Sequence, residues 1–260
     1  MNKPSERQIS SIAAVNNGPI AIGGVGGSGT RVIAEIAKSL GVFMGETING
    51  ANDNLAFVKS RKLLAIEDDG ERASSIAAEL NRFEQMMQTQ FLAQHQHTLN
   101  WGWKVPGQFH LLKYTASHFS ELKYIHVIRH GLDMAFSKNQ NQLRNWGPTL
   151  GIVANQADDP VASLDYWISA NNFAIKEATE LLGDRFLLLN FDDLCNSPEK
   201  NIFDIANFVV GDAVVSDQVQ SELLSLVVPP KSINRYKTHD YKNLFSAEAL
   251  NAVEKMGFAV

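Results

Sequence analysis

Three short apolar runs stand out along the chain, each closed by glycine or by a charged or amide residue. Pro19-Ile20-Ala21-Ile22 runs into Gly23-Gly24, Lys123-Tyr124-Ile125-His126-Val127-Ile128 stops at Arg129, and Arg185-Phe186-Leu187-Leu188-Leu189-Asn190 gives way to Phe191-Asp192-Asp193-Leu194. Near-continuous apolar runs of this length predict strands buried on both faces, whereas a half-exposed strand would alternate. Trp101-Gly102-Trp103-Lys104-Val105 reads as a further short strand stopped by Pro106. Between these runs the pattern changes to helical composition. Helices are predicted over about 30–40, 72–98 and 107–118, from 132 to 139, over about 160–182, and onward from Pro198. Strands alternating with helices imply an α/β fold: three layers, with a central parallel sheet flanked by helices. Residues 1–18 read as a loose polar arm and 19–260 as one domain.

The turn after the first strand holds the first chemical signal. Gly23-Gly24-Val25-Gly26-Gly27-Ser28-Gly29-Thr30-Arg31 separates the strand from a helix starting Val32-Ile33-Ala34. Glycines let successive backbone N–H groups point into one concavity, and the helix N-terminus adds its positive end. Such a turn suits a phosphate or phosphosulfate. Three templates fit it. Gly24 to Gly29 matches G-x-G-x-x-G, the dinucleotide fingerprint, which is weak by itself. Gly24 and Gly29 also have the spacing of a Walker A loop, but Thr30 and Arg31 stand where that motif needs Lys and Ser/Thr. The third is a Ser-Gly-Thr turn with a basic neighbour, as in loops that hold a 5′-phosphosulfate. The loop alone does not choose among them.

Composition narrows the field. The chain has 260 residues, is 45% hydrophobic and carries a net charge of −5. That length supports a sizeable core, and the acidic balance disfavours a nucleic-acid partner, which would need dense Lys/Arg patches. No run approaches 18 apolar residues, so no membrane span is expected, and residues 1–17 lack the apolar core of a secretory signal. A single cysteine, Cys195, excludes an internal disulfide framework and fits the cytoplasm. His95 and His97 are two apart on a predicted helix and so face apart, which disfavours a zinc site.

A second constellation lies after the central strand. Arg129 ends that strand and Ser137 follows eight residues later on the predicted helix, which sets a guanidinium fork and a hydroxyl on one lip of the sheet. The pair suits a phosphate monoester. A P-loop NTPase would instead end an apolar strand in Asp to hold magnesium. The strand before Asp192 and Asp193 keeps that reading open, as the glycine turn keeps open an oxidoreductase and a nucleotide-binding module without catalysis.

Taken together, Gly26-Gly27-Ser28-Gly29-Thr30, Trp103-Lys104-Val105-Pro106, the block Tyr124 to Ser137, and Phe191-Asp192-Asp193-Leu194 with Pro198 resemble the sulfotransferase family in order and spacing from about residue 19 to 210. The resemblance implies a P-loop-like fold, 3′-phosphoadenosine 5′-phosphosulfate (PAPS) as co-substrate and a metal-free reaction. Ser28, Gly29, Thr30 and Arg31 would hold the 5′-phosphosulfate, with Gly26 and Gly27 in the same loop. Arg129 and Ser137 would hold the 3′-phosphate. Two departures stand out. Gly27 replaces the Lys or Arg that many members place before Ser-Gly-Thr, so the leaving-group cation falls to Arg31 or Lys104. The C-terminal glycine-lysine segment of cytosolic members is absent, and Lys231 or Arg235, in Pro229-Pro230-Lys231-Ser232-Ile233-Asn234-Arg235, is expected to close over the nucleotide.

An acceptor hydroxyl or amine needs a general base. Glu46 is the first choice, Asp53 the second and His110 the third; Asp53 also reads as part of an Asx turn and His110 as a packed residue. Trp101, Trp103 and Trp146 read as core mass or as the lining of an aromatic acceptor pocket. Asp133 is expected to orient Arg129 or to cap its helix. The acceptor is expected to be a carbohydrate or small molecule.

Overall fold

Parallel strands β1 (Ile20–Gly24), β2 (Val42–Phe43), β3 (Asn100–Lys104), β4 (Lys123–Ile128) and β5 (Phe186–Asn190) form one sheet in the order β2-β3-β1-β4-β5. The computed structural model describes residues 18–93, 100–156, 158–211 and 216–260. Residues 1–17 of the expected arm, with His95 and His97, lie outside the described residues. In register, Ile22 faces Lys104 on one side and Ile125 on the other, while Gly24 faces Val127. The carboxyl ends of β1, β3, β4 and β5 therefore share one edge, which gathers the glycine loop, Lys104, Arg129 and Asn190.

Side chains on each strand alternate between two separate cores, as the period of two requires. Ile20, Ile22, Ile125, Val127 and Leu189 pack with α1 (Thr30–Ser39) and, further along the chain, with helices of residues 198–226. Ala21, Trp103, Tyr124 and Ile128 face the opposite way. Both faces are covered, and the three-layer α/β reading holds.

The remaining helices follow in chain order: α2 (Ser60–Leu64), α3 (Asp69–Ala93), α4 (Leu112–His118), α5 (Gly131–Ala135), α6 (Asn141–Trp146), α7 (Pro160–Leu182), α8 (Phe191–Asn196), α9 (Pro198–Val210), α10 (Asp217–Leu226), α11 (Tyr241–Leu244) and α12 (Ala247–Lys255). α7 shows how local chemistry sets a boundary. Asp159 accepts the Ala162 N–H at 3.0 Å, Pro160 opens the first turn, and Gly183 follows the last residue. Among the described residues no helix is long and apolar enough to cross a membrane.

One expectation shifts and one alternative resolves. The helix expected to run to Asn139 ends at Ala135, because the Gln140 side-chain amide donates to the Ala135 carbonyl at 3.2 Å and also to the Ser137 carbonyl. Ser137 therefore lies on the turn beyond α5. Trp101 and Trp103 are core rather than pocket lining. Trp103 is fully buried, with ring centroids 5.3 Å from Phe57 and 5.4 Å from Phe83, and its indole N–H donates to Gln108 at 2.6 Å. Truncating such a ring to alanine costs about 3–5 kcal/mol.

Candidate active site

The loop that closes β1 depends on its glycines. Gly27 and Gly29 have φ of +97° and +96°, where an L side chain is strained. At Gly29 a Cβ would also overlap the Phe191 ring, which covers the loop from α8. Ser28 is buried and folds back on its own turn, its hydroxyl and its N–H both donating to the Val25 carbonyl. Thr30 opens α1 and is also buried. Among the described residues no side chain caps α1 and no acidic residue sits in its first turn; the Val32 N–H donates to the Gly29 carbonyl at 3.0 Å, and the N–H groups of Thr30 and Arg31 are available to an anion. Arg31 is exposed on that turn, and its charge helps hold Glu35 below the usual carboxylate range, after the larger effect of the Asn52 amide.

On the next strand Arg129 is 7% exposed. Its Nη2 donates to Ser232 Oγ at 2.8 Å, its Nη1 lies 3.5 Å from the Gly27 carbonyl, and Asp133 Oδ2 is 3.9 Å from Nη2. Among the described residues the buried Nε has no hydrogen-bond partner. Burial pulls the guanidinium pKa down while Asp192 and Asp133 pull it up; arginine stays charged across this range. Asp133, almost fully buried, does not cap its helix. It accepts the backbone N–H of Asn234 at 2.8 Å and of Tyr236 at 3.1 Å, tying the loop at 231–236 to the strand end. His130 caps α5 instead, accepting the Leu132 N–H at 3.3 Å.

Within that tied loop Lys231 is exposed, and its neighbour Ser232 is the residue on Arg129. Arg235 donates to the Phe136 carbonyl at 3.3 Å, which brings it beside Ser137. The half-buried Ser137 hydroxyl accepts the Asn139 N–H at 3.2 Å. Asp192, the magnesium candidate, receives the His130 N–H at 2.9 Å, and burial pushes its pKa up.

Lys104 ends β3 buried at 2% exposure, its Nζ donating to the Ala51 carbonyl at 2.9 Å and paired with Asp53 Oδ1. The segment carrying Asp53 is held from both sides. Asn49 Oδ1 accepts the N–H of Ala51 at 2.8 Å and of Asp53 at 2.9 Å, the Asx geometry anticipated from composition. Asn52, at φ +63°, donates to Glu35 at 2.7 Å and accepts from Lys38 at 3.1 Å, which fastens the segment to α1. Glu46 is exposed, its backbone N–H 3.4 Å from Gln90 Oε1. His110 stacks on Trp146 with centroids 4.1 Å apart; its Nε2 is buried and unpartnered, and burial lowers its pKa to about 4.

The sequence reading did not single out Ser232, Asn52, Glu35 or the tie made by Asp133. Only Asn52 had a signal, its place in an Asn/Gly-rich run. The other links join residues far apart in the chain through backbone groups or single side chains.

Against this geometry the comparisons are specific. A family model described as the sulfotransferase family matches residues 19–210, and the chain belongs to that family. Among solved structures, the sulfotransferase domain of the Synechococcus PCC 7002 olefin synthase is 16% identical, covers 93% of this chain and 95% of its own, and has a TM-score of 0.54. The sulfotransferase domain from the curacin biosynthetic pathway is 14% identical over 94% of this chain and 98% of its own, with a TM-score of 0.54. Sulfotransferase STF1 from Mycobacterium tuberculosis H37Rv is 13% identical over 80% and 70%, with a TM-score of 0.50. At such identities the likeness speaks for the fold. No curated protein sequence matches the chain. Family membership supports sulfuryl transfer as the general chemistry.

Proposed function

We propose that residues 19–260 act as one domain that transfers a sulfuryl group from PAPS to a hydroxyl or amine of a carbohydrate or small-molecule acceptor. The observation that carries the donor site is Arg129: a buried guanidinium with an unpartnered Nε, beside the glycine loop and 3.5 Å from the Gly27 carbonyl. A buried cation at a glycine-rich turn suits an anion that brings its own acceptors. In this reading Arg129 and Ser137 hold the 3′-phosphate, with Arg235 next to Ser137 and Ser232 on Arg129. Ser28, Gly29, Thr30 and the first turn of α1, including Arg31, hold the 5′-phosphosulfate.

The transfer is an in-line displacement. The acceptor oxygen or nitrogen bonds to sulfur, the bond from sulfur to the 5′-phosphate oxygen breaks, and that oxygen keeps the electron pair. Lys104 is the cation assigned to the departing oxygen, and its contact with Asp53 orients it. Asp53 is thereby a holder of Lys104 rather than the base. Glu46 takes the acceptor proton, since it is exposed on the segment after β2 and its carboxylate has no cation partner among the described residues. His110 is a packed residue, its ring stacked and its basicity lowered. The free, half-buried Cys195 suits a reducing compartment, and the proposed location is the cytoplasm.

The test follows release of 3′-phosphoadenosine 5′-phosphate (PAP) from PAPS across a panel of alcohols, sugars and amines. Lys104→Met and Glu46→Gln are each expected to lower turnover about 10²- to 10³-fold, Glu46→Gln with PAP affinity kept and Lys104→Met with PAP affinity weakened as well, because the departing oxygen stays on PAP. Unchanged turnover in both variants would remove these roles, and binding without turnover on any acceptor would favour a non-catalytic module.

A further inference from the structure

Gln142, on α6, lies directly on the glycine loop. A Cβ built on Gly26 would meet Gln142 Cγ at 3.1 Å and Nε2 at 3.3 Å. A Cβ on Gly107, in the turn after Lys104, would stand 3.6 Å from the same Nε2. Two glycines leave a slot between the turn after β1 and the turn after β3; the Gln142 amide fills it on the Gly26 side, and the Trp146 indole, 3.1 Å from a Cβ on Gly107, closes the other end. Trp146, one helical turn further along α6, stacks on His110 and holds that face of the helix against the β3 turn.

The Tyr166 hydroxyl, which burial keeps protonated, donates to Gln142 Oε1 at 3.3 Å. That bond orients the amide with Nε2 toward the two glycines. Among the described residues no acceptor takes the Nε2 hydrogens. A donor is thus presented, unspent, at the surface of an anion-binding turn.

Sheet order tells which part of a ligand it would meet. β1 lies between β3 and β4. Arg129 approaches the loop from the β4 side, whereas Gly107, three residues past the end of β3, places Gln142 on the β3 side. We propose that Gln142 binds the transferring sulfuryl group, its Nε2 donating to a sulfuryl oxygen beside Gly26 and Gly27. This assignment rests on the donor reading above and deepens it: Gly27 has no side chain to offer, and Gln142 supplies a neutral donor next to it.

PAPS and PAP differ only in the sulfuryl group, so the pair isolates the contact without an acceptor. Both are titrated calorimetrically into the full chain and into Gln142→Ala. A lost hydrogen bond to a charged oxygen predicts a Kd for PAPS raised about 10-fold or more, with the Kd for PAP changed less than about 2-fold. Gln142→Glu, which sets a carboxylate against the sulfuryl oxygens, is expected to weaken PAPS further and again to spare PAP most. If Gln142→Ala weakens both ligands equally, or neither, the assignment is overturned while the donor site stands. If the unaltered chain binds neither nucleotide, the donor reading itself fails and takes this one with it.

Discussion

Asp133 and Asn234 are 101 positions apart in the chain, yet the buried Asp133 carboxylate accepts the Asn234 backbone N–H at 2.8 Å. The same carboxylate takes the Tyr236 N–H and stands 3.9 Å from Arg129. One acid therefore sets both the guanidinium and the loop that delivers Ser232 to it.

Replacing that acid should uncouple the loop. Asp133→Ala leaves two backbone donors without acceptors and a buried arginine short of a neighbouring charge, at a cost of about 2–4 kcal/mol. Asp133→Asn, which keeps one acceptor oxygen, should cost less. Urea unfolding of the two variants gives the ranking, and equal stabilities would contradict the tie.

The glycines of the loop are not equivalent. Gly29→Ala meets both an unfavourable φ and the Phe191 ring, and should lose about 2–4 kcal/mol. Gly50→Ala is the control: it has no neighbour within 4 Å and no positive φ, so its effect should stay within about 1 kcal/mol. Denaturation midpoints decide between these outcomes.

Two histidines should make the fold acid-sensitive. His126 is fully buried between the Tyr124 hydroxyl at 2.7 Å and Asn171 Oδ1 at 2.9 Å, and burial lowers its pKa to about 4, as it does for His110. Both are neutral in the folded chain and titrate near 6.5 when unfolded, so the unfolded state binds more protons between those values. Their contribution is complete above pH 6.5 and is lost as pH falls toward 4, with a slope of about 1.4 kcal/mol per pH unit for each. Unfolding free energies measured across pH 7 to 4.5 should fall, and His110→Phe should flatten the slope by about half. A flat profile in the unaltered chain would contradict the neutral assignment.

Much of the fold could be read in advance because its strands are buried on both faces and show as unbroken apolar runs. A parallel sheet then puts their carboxyl ends on one edge, which located the glycine loop, Lys104 and Arg129 before any coordinates. What escaped prediction depends on distant partners. Ser232 reaches Arg129 through a loop held by backbone N–H groups, which leave no trace in side-chain pattern. The local pattern predicts a helix through Ser137; the stop at Ala135 is made by a single side-chain bond from Gln140, five residues on, which the helical composition does not signal. Asp53 reads equally well as a turn residue or a base, and its pairing with the buried Lys104, 51 positions away, leaves no mark in the sequence pattern. β2, with two residues, is too short for any periodicity to register.

Calorimetric titration of PAP with divalent metal chelated probes the donor site without any acceptor, with ATP plus magnesium and NAD as controls. The bisphosphate is expected to bind without metal, more tightly than either control, and Arg129→Ala to weaken it about 10- to 100-fold. Absence of PAP binding, with ATP or NAD bound in its place, would contradict the donor reading.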